Sequence, residues 1–116
     1  MAGSPSELVQ GTADILILKA VSWGPAHGFE ISKWLRHASG GLLGLEGAGL
    51  YQALHRLESR GWLASEWGLS ANNRRAKYYH LTAAGRRQLR ERASTWRAYA
   101  AAVGQVLDAR TNEVAS

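Results

Sequence analysis

The sequence contains no cysteine and only two prolines and one phenylalanine. The absence of cysteine excludes disulfides, thiolate chemistry and zinc sites with cysteine ligands. No apolar run is long enough to span a bilayer, and the first residues lack a charged leader followed by an apolar stretch. We therefore expect a cytoplasmic protein with no membrane partner. The four histidines show no metal-ligand spacing, so the sequence indicates neither a metal nor another cofactor.

Catalytic constellations are also lacking. No nucleophile with an adjacent base and no pair of carboxylates stands out. The glycine-rich stretch GLEGAG lacks the GK[ST] of a phosphate-binding loop and joins two predicted helices without a preceding strand. The chain is 116 residues long and 46% apolar, which suits one domain with a modest core. We expect a binding protein rather than an enzyme.

Positive charge is concentrated in the second half of the chain. Between Arg74 and Arg97 there are eight lysines and arginines and one acid, Glu91, a net charge of +7. The whole chain carries +5, so the remainder carries about −2 by subtraction. A basic half of this kind favours a polyanionic partner such as double-stranded DNA. The alternative is a solvated helix face followed by a solvated loop.

Hydrophobic spacing predicts three helices in the first half. The first runs from Ser6 or Glu7 to about Val21, and a Gly/Pro-rich break follows it. The second covers about Ala26 to Ser39. Its expected buried stripe is Ile31, Trp34, Leu35 and Ala38, which are spaced i, i+3, i+4 and i+7. After a glycine-rich linker, the third helix runs from about Ala48 to a natural stop at Gly61, with its buried stripe at Leu50, Ala53, Leu54 and Leu57.

Strand signals follow the third helix. Residues 63–67 alternate between two faces, and residues 77–81 are rich in aromatics. The polar loop between them contains Asn72 and Asn73, which tolerate a left-handed turn conformation. Thr82 then caps a long last helix, from Ala83 to about Leu107 or Ala109. A helix-turn-helix followed by a β-hairpin predicts a mainly α (α+β) fold, the winged helix-turn-helix with a two-stranded wing and a long C-terminal helix.

This arrangement predicts a DNA-binding surface. The outward side of the third helix carries Tyr51 for a phosphate contact, and Gln52 and His55 for base edges. On the wing, phosphate or minor-groove contacts are expected from Arg74, Arg75 and Lys77. The alternative is an ordinary polar surface. We expect Arg56 to pair with Glu46 or Glu58 or to reach the backbone, His27 to interact with Glu30 at a helix start, and structural packing in the core or wing from Trp23, Trp34, Trp62 and Trp67.

The last helix carries an apolar seam whose residues are spaced 4, 3, 4, 3 and 4: Leu89, Ala93, Trp96, Ala100, Val103 and Leu107. A seam that follows a complete wing predicts a homodimer, with Leu89, Trp96, Val103 and Leu107 at the interface. Trp96 between two alanines predicts either a packed interface residue or an aromatic-walled cavity across the dimer axis. The candidate ligand-binding residues for such a cavity are Leu8, Ile15, Ala93, Trp96 and Ala100.

Four stretches resemble the PadR family of bacterial transcriptional regulators. They are GTADILILKAVSWGPAHGFEI, GLYQALHRLESRGWL, EWGLSANNRRAKYYHLTAAGRRQL and a tryptophan in the last helix, and they span nearly the whole chain. The wing motif N-R-R-x-K-Y-Y-x-L-T is the most specific. Gly49 and Gln52 depart from the family pattern, in which Ser or Thr and often Pro stand at these positions.

The resemblance implies a dimeric winged-helix repressor of the short form, with a single C-terminal dimerisation helix and, in some members, relief by a small planar aromatic ligand. The expected organisation is a tail at residues 1–6, a DNA-binding domain at 7–82, a dimerisation helix at 83–110 and a tail at 111–116. We expect a sequence-specific regulator that binds an inverted-repeat operator. The alternative is a winged-helix protein–protein interaction module that does not bind DNA.

Overall fold

A computed structural model describes the backbone of residues 5–114 and the side chains of residues 11–114. The chain forms a mainly α winged helix-turn-helix, as the sequence predicted. Its elements in order are α1 (Pro5–Ala20), a 3-10 turn (Val21–Trp23), β1 (Ala26–His27), α2 (Gly28–Ala38), α3 (Gly47–Ser59), β2 (Leu63–Leu69), β3 (Arg75–Leu81) and α4 (Ala83–Leu107). No helix in the described part of the chain is long and apolar enough to cross a membrane.

The three strands form one antiparallel sheet in the order β1-β3-β2. In the wing hairpin, Leu63 is paired with Leu81 at the base and Leu69 with Arg75 near the tip. The turn closes through two backbone hydrogen bonds, from Ser70 N to Arg74 O at 2.8 Å and from Asn73 N to Ser70 O at 2.9 Å. Asn73 adopts the left-handed conformation with φ 60°, so of the two predicted turn asparagines only this one bends the backbone in that way.

One core joins the helices to the base of the sheet. It buries the apolar stripe predicted for α3, and its most enclosed side chains come from five elements: Ile17, Leu18, Val21, Ile31, Leu50, Leu54, Leu57 and Leu63. The stripe predicted for α2 was partly wrong, because Ala38 is exposed in the last turn, where the helix has passed the end of the core. Trp23 was also wrongly predicted as a core residue. Its side chain is exposed on the 3-10 turn, with Lys19 Nζ 4.5 Å from the ring centroid.

The second helix begins two residues later than predicted. Ala26 and His27 form β1, which is paired with Tyr79 and Tyr78 of β3. His27 is both the last strand residue and the cap of α2. Its Nδ1 accepts the Glu30 N–H at 3.3 Å, and Glu30 Oε1 accepts the His27 N–H at 3.1 Å. The predicted helix-start interaction between these two residues is confirmed.

The junction between α3, the wing and α4 is tightly built. Gly61 has φ 78°, and the Trp62 N–H bonds to Leu57 O at 3.1 Å, which closes the end of α3 in the Schellman arrangement. Thr82 caps α4 by accepting the Gly85 N–H at 3.0 Å, and its hydroxyl donates to Gly61 O at 2.6 Å. The start of the last helix is therefore fixed to the end of α3. Both predicted helix ends, Gly61 and Thr82, are confirmed.

Candidate nucleic-acid interface

The outward face of α3 is polar and exposed. Tyr51, Gln52 and His55 all lie on it, opposite the buried stripe of the same helix. Tyr51 also packs against the start of α2, where a Cβ built on Gly28 would lie 2.8 Å from the Tyr51 hydroxyl oxygen. A larger residue at position 28 would require the tip of the Tyr51 side chain to shift. The hydroxyl is thereby held at the junction of α2 and α3.

The wing is anchored to α3 through Glu58. The carboxylate of Glu58 accepts a hydrogen bond from the Ser65 hydroxyl of β2 and an ion pair from Lys77 Nζ of β3 at 3.2 Å. The Ser65 hydrogen bond, and then Lys77, lower the pKa of Glu58 against the opposing effect of burial. The same ion pair raises the pKa of Lys77. Lys77, predicted as a phosphate contact, is thus engaged within the protein, and its predicted contact with DNA stays a prediction.

The other two wing cations are exposed. Arg75 lies two residues before Lys77 on β3, so both side chains leave the same face of the sheet, the face that packs on α3. The Arg75 guanidinium stacks over the exposed ring of Trp67, 4.5 Å from its centroid, which restricts the arginine without neutralising it. Arg74 has no ion-pair partner among the described residues. Because its ring is exposed and is covered by Arg75 of the same hairpin, Trp67 packs within the wing rather than in the core.

The inner side of α3 carries a buried ionic cluster that the sequence did not predict. Asp14 of α1 is only 4% exposed, and its carboxylate is paired with Arg56 and, at 3.6 Å, with Arg60. The expected partners of Arg56, Glu46 and Glu58, were wrong. Glu46 pairs instead with Arg36 at 3.0 Å. The cluster fixes α3 against α1, and Arg56 is engaged in it.

The far half of α4 is apolar and exposed. Trp96, Val103 and Leu107 of the predicted seam all face solvent in the single chain, as do Tyr99 and Val106 beside them. Leu89 differs, because it is half-buried against the core of its own chain. The exposed seam therefore starts about two helical turns later than predicted.

The residues predicted to hold a ligand come only partly together. Ala93 and Ala100 are half-buried on either side of the exposed Trp96, and Ile15 of α1 is half-buried. The side chain of Leu8 lies outside the described residues. Among the described side chains no group of three or more His, Asp or Glu residues can hold a metal ion.

Two features of this interface were missed from the sequence, Asp14 and Glu58. A signal existed for Asp14, the one acid in the otherwise apolar stretch ADILIL. A charged residue placed among core residues needs a partner. No comparable signal marked Glu58, because acids are ordinary on exposed helix surfaces.

The comparisons with known proteins agree with this geometry. The model of the transcriptional regulator PadR-like family matches residues 17–91. The crystal structure of a PadR family transcriptional regulator from Eggerthella lenta is 35% identical, with a TM-score of 0.75, and the match covers 90% of this chain and 89% of that one. For a PadR family regulator from Clostridium difficile the identity is 30%, the TM-score 0.69 and the coverage 81% and 96%. An uncharacterised protein of Lysinibacillus sphaericus is 26% identical over 103 residues, 89% of this chain and 91% of its own.

Proposed function

This chain belongs to the PadR-like family of transcriptional regulators, and from that premise we propose that it is a homodimeric repressor that binds an inverted-repeat operator. Two copies of α3 enter successive major grooves, roughly 34–36 Å apart. Gln52 and His55 contact base edges, and Tyr51 contacts a phosphate. Arg74 and Arg75 contact the flanking DNA backbone or the minor groove. Lys77 joins them when it leaves its ion pair with Glu58 and binds a DNA phosphate instead.

The observation that carries this proposal is the joining of the α3 face to the wing cations by Glu58. His55 lies one helical turn before Glu58 on α3, and Glu58 binds Lys77 of the wing. Arg75 follows on the same strand face, so base-reading and phosphate-binding groups form one continuous surface. A fixed spacing between them favours one register on the duplex, since phosphate contacts position a protein and base contacts specify the sequence.

The dimer is supported by the exposed apolar half of α4. An unpartnered row of Trp96, Val103 and Leu107 is the kind of surface that marks an interface between proteins. Pairing of two such helices places the two copies of α3 on the same side of the molecule and gives the operator its two-fold symmetry. The domain boundaries at residues 82 and 83 belong to this proposal, with residues 7–82 for DNA and 83–110 for dimerisation.

Footprinting the purified protein on its own upstream DNA tests the proposal. Protection of an inverted repeat is expected, and loss of protection when an acid replaces Val103 on α4. A folded protein that protects no sequence, with an affinity for DNA that does not depend on salt, would favour the protein–protein interaction module instead.

Two substitutions distinguish a residue that binds DNA phosphate in any sequence from a residue that contacts base edges. Arg74→Ala should weaken binding to operator and random DNA alike and reduce the salt slope of the dimer by about 1.8, one phosphate contact from each subunit. Arg110→Ala, another exposed arginine, is the matched control and should leave the slope unchanged. Gln52→Ala should change sequence preference by about 1–3 kcal/mol per base pair read. An equal effect of Gln52→Ala on operator and random DNA would contradict its role as a base reader.

We also propose that a planar aromatic molecule relieves repression by binding at the dimer axis. The support is Trp96, which is 46% exposed between two half-buried alanines. Two such rings across the axis would stack on a planar ligand, with Ile15 at the outer wall. Titration with planar dyes should quench tryptophan fluorescence in the wild type and not in Trp96→Ala. Equal quenching in both proteins would place the dye elsewhere.

A further inference from the structure

A groove with a volume of about 790 Å³ lies between the outer face of α2 and the wing. One wall is formed by Phe29, Lys33 and His37, which follow one another at i, i+4 and i+8 on the helix face opposite the core. The other wall is the wing turn and the start of β3. The volume falls in the range of about 300–1,000 Å³ typical of small-molecule sites. This groove is separate from the proposed ligand cavity on α4.

The charge in the groove is positive. Lys33 and Arg74 line it and form no ion pair among the described residues, and Arg75 also contributes to it. The only acid in its lining is Glu30, whose carboxylate already accepts the His27 N–H at 3.1 Å. Because three cations line the groove against this one acid, its net charge is positive and it favours an anionic ligand.

An aromatic side chain stands at one end of the groove. Phe29 is 71% exposed, and its ring centroid is 6.5 Å from that of His27. It contributes nothing to the core and is not part of the proposed DNA surface. Lys33 lies four positions after Phe29 on α2, about 6 Å at the helical rise of 1.5 Å per residue, and His37 lies a further four positions along the helix. A ligand that spans the groove therefore has a flat end at Phe29 and a charged end near Lys33 and Arg74.

The wall opposite α2 has unused hydrogen-bonding groups. Strand β1 ends at His27, opposite Tyr78, so β3 has no strand neighbour on that side over residues 75–77 in the described sheet. Three residues span only about 10 Å, whereas a docked peptide strand usually has about 5–6 residues. The cap of α2 closes one end and the wing turn the other. The free edge thus suits the donor and acceptor edge of a small planar molecule better than a peptide.

We propose that this groove binds a nucleotide. The base stacks on Phe29 and pairs with the free peptide groups of β3, and the phosphate lies between Lys33 and Arg74. The aromatic ring of a nucleotide, the hydrogen-bonding edge of its base and its phosphate match three features of the groove, which are Phe29, the free edge of β3 and the cations Lys33 and Arg74. The further consequence rests on the proposed function. A phosphate on Arg74 takes the cation that DNA requires, so nucleotide and operator compete.

Isothermal titration of the full-length protein without DNA tests the site directly, with AMP and GMP as probes and adenosine and ribose 5-phosphate as partial ligands. At least one nucleotide should bind saturably, and each partial ligand more weakly. Phe29→Ala should weaken binding about tenfold by removing the stacking partner. Lys33→Ala should weaken it similarly, while Lys19→Ala, an exposed lysine outside the groove, should leave it unchanged.

Three results would overturn the site: no saturable binding of either nucleotide up to millimolar concentration, equal binding in wild type and both groove variants, or tight binding of an acidic hexapeptide in place of nucleotides. Operator binding is measured separately by footprinting, with and without the nucleotide. If DNA is not protected but the nucleotide binds, the proposed function fails and the site stands. If DNA is protected and the nucleotide does not bind, the site fails alone.

Discussion

One prediction concerns the ionic cluster of Asp14 with Arg56 and Arg60, which holds α3 against α1. Asp14 lies in α1, and its partners are Arg56 in the last turn of α3 and Arg60, the residue that directly follows this helix. Replacing the carboxylate by an amide, Asp14→Asn, keeps the size of the side chain and removes its charge. The two arginines then face an uncharged group, and the electrostatic link between α1 and α3 is lost.

The magnitude follows from burial. The Arg56 side chain is 26% exposed, so its bond to the buried carboxylate is partly shielded and contributes about 2 kcal/mol, as charge-assisted hydrogen bonds do. The Arg60 side chain is 44% exposed at a longer distance, so solvent screening limits its contribution to about 0.5 kcal/mol. The free energy of unfolding should fall by about 2–3 kcal/mol, which for a chain of this size lowers Tm by about 10 °C.

Urea unfolding followed by tryptophan fluorescence measures this loss, at a fixed protomer concentration because dimerisation shifts apparent stability. The matched control is Glu46→Gln, which removes the ion pair with Arg36, a pair with both side chains more than half exposed. It should cost about 0.5 kcal/mol or less. If the two substitutions have equal effects, the argument that burial gives the Asp14 cluster its strength is wrong.

Three further predictions concern packing, pH and assembly. Gly85→Ala should destabilise the fold by about 3 kcal/mol, because the added Cβ would lie 2.0 Å from Trp62 O. Gly49→Ala has open space around it and should stabilise α3 by up to about 1 kcal/mol. Thermal unfolding of the two variants measures both changes. The pKa of Glu58 is lowered in the folded protein, so its contribution to stability is present above the ordinary value of 4.5 and is lost as pH falls through the folded pKa. The free energies of unfolding of wild type and Glu58→Gln should therefore converge in acid. Val103→Glu should give a monomer in sedimentation while Val106→Glu, exposed on the same helix but off the seam, stays dimeric; two dimers would refute the seam.

The local rules of the chain predicted most of the fold. The period of the apolar residues in α3, the stop at Gly61 and the cap at Thr82 are all decided within a few residues, and the structure has each of them. β1 was missed because a strand of two residues has no period to detect, and its pairing with β3 depends on a segment about fifty positions away.

The sequence predicted which residue types lie on the interface, but it did not predict which residues they contact within the protein. The outward position of Gln52 and His55 follows from the helical period alone. The partner of Arg56 does not, because Asp14 lies 42 positions earlier and Glu58 only two residues later. For the same reason the ion pair between Lys77 and Glu58 could not be predicted from the position of Lys77 in a basic stretch of the sequence. Long-range ionic contacts depend on the assembled fold, which the order of residues shows only indirectly.

The absence of a linker between the wing and α4 makes the last helix a lever. Its 25 residues follow β3 after Thr82 alone and extend about 37 Å at the helical rise of 1.5 Å per residue. In a dimer joined through residues 96–107, the free arm from Ala83 to Trp96 is about 20 Å long, so a tilt of about 10° at the seam would displace its end by about 3.4 Å, close to one base-pair step. A small change in crossing angle would thus move each recognition helix off its half-site, with no unfolding and no hinge.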